Sequence, residues 1–202
     1  MQPLISCLCP TRNNPNIVKK AIKAFEKQTY DNKELILVID EGSKYEESIK
    51  SFTKENIKLF YAPKGITLGD IRNISVENAS GKYIAQWDDD NTHCKNRLEI
   101  QYNAIETHKK KACFLQRVLI NDTISGKKGI SNFGRGIEST IVALKSSLPK
   151  YPSIGVGEDV IPRKYFTAIS QVVYLDKPHL YTYNIHNNNT CEYKHLKTML
   201  EV

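Results

Sequence analysis

The chain has 202 residues, of which 25% are charged and 40% are hydrophobic, and its formal net charge is +7. These values are typical of a globular protein and exclude a disordered or membrane-embedded chain. The longest apolar run, Leu35–Ile39, is too short to cross a bilayer, and the first residues lack the pattern of a signal peptide. We therefore expect a soluble, cytoplasmic protein with no transmembrane segment.

The lysines and arginines that produce the positive charge are spread along the chain. They are not interleaved with aromatic residues, as they are in common nucleic-acid-binding motifs. Solvated helix faces explain them better than a dedicated patch, and a basic nucleic-acid-binding module stays open as an alternative.

The five cysteines are scattered without paired spacing, which argues against a disulfide framework. Cys7 and Cys9 alternate with apolar neighbours and therefore point to one face of a strand. We interpret both as small core residues rather than metal ligands, because no CxxC pattern or nearby histidine accompanies them.

The first half of the chain alternates between strand and helix patterns. Short continuous apolar runs indicate buried strands, and apolar residues at helical spacing indicate the helices between them. Asn13 or Asn14 is expected to cap the first helix, with Pro15 in its first turn. The expected strands are Leu4–Cys9, Glu34–Ile39, Ile57–Tyr61 and Lys82–Trp87, and the expected helices are 17–25, 46–54, 68–79 and 95–107. This alternation predicts a parallel sheet with right-handed crossovers and covering helices.

The pattern changes after residue 111. The expected elements are a strand over Ala112–Ile120, a loop or irregular hairpin over 121–136, and strands over Ser139–Leu144, Gln171–Leu175 and Leu180–Asn184. A short helix opens at Gly157-Glu158-Asp159, and Pro162 is expected to interrupt it early. No linker divides the chain, so we expect one domain over 1–202 whose second half extends the same sheet.

Candidate site residues follow three of the predicted strands where each strand ends. Pro10, Thr11 and Arg12 follow the first strand, Asp40 follows the second, and Asp88–Asp90 follow the fourth. Ligands of open parallel sheets bind beyond the carboxyl ends of the strands, so these segments are candidates for one crevice.

Three adjacent carboxylates at the end of a buried strand repel each other and need a counter-charge. A divalent cation that prefers oxygen ligands, Mg²⁺ or Mn²⁺, supplies one. The alternative is a solvated acidic turn or a helix cap, since aspartate is common in both.

Three more residues have a functional and an ordinary interpretation. Arg72 is either a diphosphate ligand or a surface arginine of its helix. Asp159 is either a general base or, with Glu158, the acidic start of a helix. His186, in a run of asparagines, is either a metal or phosphate ligand or an exposed loop histidine.

Taken together, these segments resemble family 2 glycosyltransferases of the GT-A fold, over roughly residues 4 to 190. The similar segments are Ser6–Asn13 (opening strand and P-T-x-N loop), Val38–Ser43 (acidic-Gly-Ser turn), Gly69–Asn73 (G-x-x-R-N helix), Gly81–Asp90 (strand entering a DxD motif), Gly157–Asp159 (E-D motif) and His186–Thr190 (H-x-N-T segment). The resemblance implies a Rossmann-like, mostly parallel α/β sheet with helices on both faces and a mixed C-terminal extension.

The resemblance also implies how the donor is bound. Pro10, Thr11 and Arg12 line a nucleotide pocket, Asp40 accepts a hydrogen bond from the uracil N–H, and Arg72 contacts donor phosphate or sugar. Residues up to about 110 form the nucleotide-sugar half, and residues from about 111 form the acceptor half. A UDP-sugar is the favoured donor, and a glycan or glycoprotein hydroxyl is the acceptor.

The same resemblance assigns the chemistry. Asp88 and Asp90 form the DxD pair, with Asp90 the first choice as a direct ligand of Mn²⁺ or Mg²⁺ and His186 supporting the metal or the diphosphate. Asp88 and Asp89 are also expected to contact the nucleotide-sugar. Asp159 deprotonates the acceptor hydroxyl, and transfer proceeds with inversion.

Two features depart from the family pattern, namely Trp87 in place of a smaller aliphatic residue and a short C-terminal part. A sugar nucleotidyltransferase is the competing enzyme, because it also combines a parallel sheet, aspartates and Mg²⁺. It usually carries a glycine-rich phosphate loop after the first strand, where this chain has Pro10–Pro15 without glycine.

Overall fold

The computed structural model describes residues 2–198; Met1 and residues 199–202 of the predicted domain lie outside the described residues. The strands are β1 (Ile5–Pro10), β2 (Lys33–Asp40), β3 (Ile57–Ala62), β4 (Tyr83–Gln86), β5 (Thr92–His93), β6 (Ala112–Leu115), β7 (Leu119–Asp122), β8 (Lys128–Ile130), β9 (Ile137–Leu144), β10 (Val172–Leu175) and β11 (Tyr181–Ile185). The helices are α1 (Pro15–Glu26), α2 (Glu46–Lys50), α3 (Leu68–Glu77), α4 (Arg97–His108), α5 (Val160–Ala168) and α6 (Tyr193–Lys197).

Among residues 2–198, seven strands form the central sheet in the order β10-β6-β9-β4-β1-β2-β3. Its neighbouring strands are parallel except for β9, which runs antiparallel to both β4 and β6. The predicted mostly parallel sheet is therefore confirmed. The chain passes from β1 to β2 on one side and later returns to β4 on the other, which creates a switch point beside β1. Ligands of doubly wound sheets bind in the crevice at such a point.

Helices cover both faces of the central sheet, as predicted. Cys7 and Cys9 are buried in one core, beneath α1 and α4, which confirms their interpretation as core residues. Leu8 faces the opposite core, which also contains Ile71 of α3 and Phe166 of α5. Successive residues of a strand point to opposite faces, so a continuous apolar strand is buried on both.

Local sequence signals account for the helix starts in the first half. The Asn14 side chain accepts hydrogen bonds from the first backbone N–H groups of α1. Thr67 and Asp70 form a reciprocal capping box at the start of α3. The helix predicted over 46–54 ends at Lys50 instead, because the hydroxyls of the following turn bond to backbone carbonyls and compete with the helix.

The predicted single strand over Ala112–Ile120 is wrong. It is two strands, β6 in the central sheet and β7 in a second, four-stranded sheet of order β5-β11-β7-β8. Between them Gln116 N donates to Leu175 O, while Val118 N donates to Ser131 Oγ on the other sheet. Within the described residues, the second half therefore extends the central sheet only through β6, β9 and β10.

Two further predictions for the second half concern the segment 121–136 and the helix that contains Pro162. Segment 121–136 is an irregular hairpin in part, because β8 pairs antiparallel with β7. The prediction that Pro162 interrupts the short helix is wrong, since α5 runs from Val160 to Ala168. Pro162 lies in the first turn, where the helix does not need the missing N–H group. Within the described chain, no helix combines the length and apolar character that crossing a membrane requires.

Candidate active site

A cavity of about 770 Å³ opens at the carboxyl ends of β1 and β4. Its lining comes from residues 10–13, 66–68, 71–72, 88–91, 135, 137–139, 155–160, 183, 188–191 and 195–196. The predicted site residues that line it are Pro10, Thr11, Arg12, Arg72, Asp88, Asp89, Asp90 and Asp159. Asp40 and His186 are not part of the lining, although each contacts a lining residue. The switch point of the sheet thus gathers most of the residues predicted from the sequence.

Asp89 joins the acidic turn to the loop after β1. Its carboxylate accepts hydrogen bonds from Thr11 Oγ1 and from Asn13 Nδ2, the latter at 2.9 Å. Burial raises the pKa of Asp89, and these two hydrogen bonds oppose the rise. Asp89 therefore fixes the relative position of two cavity walls, and its predicted contact with the nucleotide-sugar stays a prediction. Asn13 was not predicted as a site residue, although its position beside Thr11 in the loop was the available signal.

Asp90 and His186 meet across a separation of 96 residues, with 3.2 Å between Asp90 Oδ2 and His186 Nε2. Asn189 holds the loop, because its Oδ1 accepts from the His186 backbone N at 2.6 Å. Burial, together with the negative charges of Asp88 and Asp89, raises the pKa of Asp90 to about 7. Burial lowers the pKa of His186, which favours the neutral ring that binds metals.

These observations test whether the acidic turn suits a divalent cation. Among the described residues, no group of three or more His, Cys, Asp or Glu side chains forms a protein cage for a metal. Mg²⁺ is usually bound through one or two carboxylates together with substrate phosphates, rather than by such a cage. Asp90, the neutral His186 beside it and the excess negative charge of the turn therefore fit a cation that shares its coordination with a diphosphate.

Arg72 lies behind the acidic turn and is only 5% exposed. Its Nε donates to Glu158 Oε1 at 2.7 Å, and its Nη1 donates to Asp88 Oδ1 at 3.2 Å. The predicted contact between Arg72 and donor phosphate stays a prediction, because two carboxylates already hold the guanidinium. Glu158, which is 3% exposed, was missed as the partner of Arg72, and no local pattern reveals a pair 86 residues apart.

The helix segment around Arg72 anchors the loop that leads to Asp159. The side-chain amide of Asn73 exchanges two hydrogen bonds of 2.9 Å with the backbone of Tyr151. A Cβ atom on Gly69 would lie 1.9 Å from Pro152 O, so only glycine permits this approach. The motif at 69–73 therefore positions the opposite wall of the cavity.

Asp159 lies immediately before α5 and makes no capping hydrogen bond with the helix. Burial raises the pKa of Asp159 to about 7; the positive charge of Arg72 opposes this rise and the negative charge of Glu158 adds to it. A carboxylate of this pKa is balanced between its two protonation states at neutral pH, which suits general acid–base chemistry.

Arg12 and Asp40 form an exposed pair at the ends of β1 and β2. Arg12 Nε and Nη2 donate to the two Asp40 oxygens at 2.7 and 3.0 Å, and Nη2 also donates to Ile66 O at 3.1 Å. The predicted hydrogen bond from uracil to Asp40 stays a prediction, because a nucleotide base would have to share this carboxylate with Arg12.

The fold and the cavity define a class of protein. The seven-stranded mixed sheet, with an acidic turn at its switch point, is a GT-A-type α/β architecture. The structure superposes on Staphylococcus aureus TarS 1-349 in complex with UDP-GlcNAc with a TM-score of 0.76 at 16% identity, covering 92% of this chain and 60% of that one. A mannosyltransferase from Pyrobaculum calidifontis, solved with GDP-Man and Mn²⁺, gives a TM-score of 0.69 at 13% identity, covering 94% and 59%. At these identities the likeness establishes the fold.

Sequence comparison identifies the family. The family model described as Glycosyl transferase family 2 matches residues 6–183, and the chain therefore belongs to that family of glycosyltransferases. An uncharacterized glycosyltransferase from Haemophilus influenzae is 37% identical over 105 residues, which is 50% of this chain and 42% of the relative. One from Methanocaldococcus jannaschii is 31% identical over 113 residues, 54% of this chain and 39% of the relative. The matches thus span less than half the length of these relatives. The predicted family resemblance is confirmed.

Proposed function

We propose that this domain transfers a sugar from a nucleotide diphosphate donor to an acceptor hydroxyl, with inversion and with the help of Mn²⁺ or Mg²⁺. The observation that carries the proposal is the placement of Asp159 and the turn Asp88–Asp90 in the lining of one cavity. Asp159 can accept a proton at neutral pH, and the turn Asp88–Asp90 concentrates negative charge that a cation neutralises.

The donor diphosphate belongs beside the acidic turn, in the half of the domain formed by residues up to about 110. Asp90 and His186 would hold the cation, and Asp88 would join them after releasing part of its contact with Arg72. When bound, the cation stabilises the charge that develops on the leaving diphosphate, so no protein acid is needed there. Thr11 and Arg12 line the nucleotide side of the cavity.

The acceptor belongs on the wall built from segments 135–139, 155–160 and 188–196. Asp159 accepts the proton of the acceptor hydroxyl while its oxygen attacks the anomeric carbon. The new carbon–oxygen bond forms as the bond to the diphosphate breaks on the opposite face, which inverts the configuration. The transition state is oxocarbenium-like, as in glycoside hydrolysis. A glycan or glycoprotein hydroxyl is the acceptor class we propose.

UDP is the favoured nucleotide on two grounds. The acidic-Gly-Ser turn Asp40–Ser43 resembles the base-binding turn of family 2, and the TarS structure carries UDP-GlcNAc. The Pyrobaculum structure carries GDP-Man instead, so the nucleotide has to be measured.

Calorimetric titration with UDP, GDP and dTDP, each with Mn²⁺ and with EDTA, tests the proposal. We expect one nucleotide, UDP, to bind in the presence of Mn²⁺ and to bind more weakly in EDTA. Folded protein that binds none of the three would refute a nucleotide-sugar site. Binding of DNA or RNA under the same conditions, with a steep dependence on salt, would instead support the nucleic-acid alternative.

A further inference from the structure

A buried cation lies beneath the acidic turn. Arg97, at the start of α4, is fully buried, and no carboxylate in the described part of the chain pairs with it. Its guanidinium carbon lies 5.6 Å from the centre of the Trp87 ring and 5.2 Å from that of Tyr181. Burying a cation without a carboxylate partner costs free energy, so the position of Arg97 requires a structural explanation.

The hydrogen bonds of Arg97 lead towards the acidic turn. Its Nη1 donates to Gln86 O at 3.1 Å and to His93 Nδ1 at 2.7 Å. His93 Nε2 lies 3.2 Å from Asp88 O, and Gln86 Nε2 donates to Asp88 Oδ2 at 3.1 Å. His93 therefore contacts the backbone of Asp88, and Gln86 contacts its side chain.

These contacts decide which nitrogen of His93 carries the proton. An arginine side chain has donors and no acceptor, so the His93 Nδ1 that it contacts must be unprotonated. The proton of the neutral ring then lies on Nε2, which donates it to the Asp88 carbonyl. The tautomer follows from the chemistry of the two partners, without reference to any ligand.

The His93 ring is also held in place by stacking. It lies 3.8 Å from the Trp87 ring, centre to centre, at an interplanar angle of 16°, and the edge of Tyr181 packs against it at 5.2 Å. Trp87 is fixed in turn, because its Nε1 donates to Ala21 O at 3.2 Å. The tryptophan that departs from the family pattern therefore supplies the platform for a histidine.

We propose that His93, locked in one tautomer by Arg97 and against Trp87, is a positioning residue that holds the turn Asp88–Asp90 in its cation-binding shape. The inference rests on the proposed function of that turn. Groups that orient metal ligands through hydrogen bonds typically change metal affinity by about 10- to 100-fold when they are removed.

The first arm of the test needs no ligand. Long-range ¹H–¹⁵N spectra of the imidazole rings report the tautomer of each of the five histidines, and the signals lost in His93→Gln identify residue 93. We expect a proton on Nε2 and an unprotonated Nδ1. A proton on Nδ1 would overturn the inference even if the protein binds nucleotide as proposed.

The second arm compares His93→Leu with His93→Gln. The glutamine amide offers an oxygen acceptor and a nitrogen donor in place of the two ring nitrogens, whereas leucine offers neither. In calorimetry with UDP and Mn²⁺ we expect His93→Leu to weaken binding at least tenfold and His93→Gln to recover most of the loss. UDP binding in EDTA should be equal in all three proteins. Unchanged Mn²⁺-dependent affinity in His93→Leu would overturn the inference.

Phe25→Leu is the matched control for a general loss of packing. Phe25 is a buried residue of α1 that contacts Trp87 edge-on, with 6.3 Å between ring centres. We expect it to lower the melting temperature while the Mn²⁺-dependent affinity stays within about twofold. An affinity loss equal to that of His93→Leu would show that core packing alone is responsible. If wild-type protein binds no nucleotide at all, the proposed function fails. The tautomer measurement still tests the contacts of His93, because it needs no ligand.

Discussion

Asp159→Asn is the perturbation that tests the chemistry most directly. Burial raises the pKa of Asp159 to about 7, so at pH 7 about half of the molecules carry the carboxylate. One pH unit lower, only about one molecule in ten does, and the rate should fall about tenfold for each further unit. Above pH 7 the carboxylate form predominates and the rate should level off. Asparagine cannot accept the proton, so we expect a loss of about 10²- to 10⁴-fold at pH 8.

The assay is the release of nucleoside diphosphate from the nucleotide-sugar that calorimetry identifies, with water as the acceptor and the donor saturating. Nucleotide affinity measured in parallel serves as the control, because Asp159 is assigned no part in donor binding. The reasoning would be refuted by a wild-type rate that is flat between about pH 5 and pH 7, or by an Asp159→Asn rate within about threefold of wild type.

Three further changes probe the cation, the buried ion pair and the loop anchor. Asp90→Ala should remove the Mn²⁺ dependence of UDP binding and leave binding in EDTA unchanged, as measured by calorimetry. Arg72→Met should lower the free energy of unfolding in urea by about 3–5 kcal/mol, because Glu158 is left buried and unpaired. Gly69→Ala should cost about 1–3 kcal/mol in the same assay, because its methyl group overlaps Pro152 O.

For each of these three substitutions, a control variant or a contradicting outcome tests the reasoning. Lys54→Met breaks an exposed ion pair and should lower the free energy of unfolding by less than about 1 kcal/mol. An equally small loss for Arg72→Met would show that the buried pair of Arg72 and Glu158 does not stabilise the fold. Gly155→Ala meets no atom within 4 Å and should be nearly neutral; if Gly69→Ala is neutral too, the close approach to the loop is not needed. An Asp90→Ala protein that keeps its full Mn²⁺ dependence would place the cation elsewhere.

The sequence by itself determined most of the first half of the fold, namely β1 to β4 and the order of the helices between them. Uninterrupted apolar strands alternate there with amphipathic helices, and such patterns depend only on which residues face a core. The same patterns placed Thr11 and Asp88 at the ends of adjacent strands, and the cavity lies between them. Asp40 is the last residue of β2, and its carboxylate accepts hydrogen bonds from Arg12.

Tertiary structure decided what the local patterns could not contain. The division of residues 112–120 between two sheets depends on hydrogen bonds to β10 and to the hairpin, which no window of sequence includes. The pairing of Arg72 with Glu158 and of Asp90 with His186 joins residues 86 and 96 positions apart. The raised pKa of Asp159 arises from burial among groups brought in by other elements. Residue identity sets what a side chain can do, whereas desolvation and neighbouring charge, which exist only after folding, set what it does at a given pH.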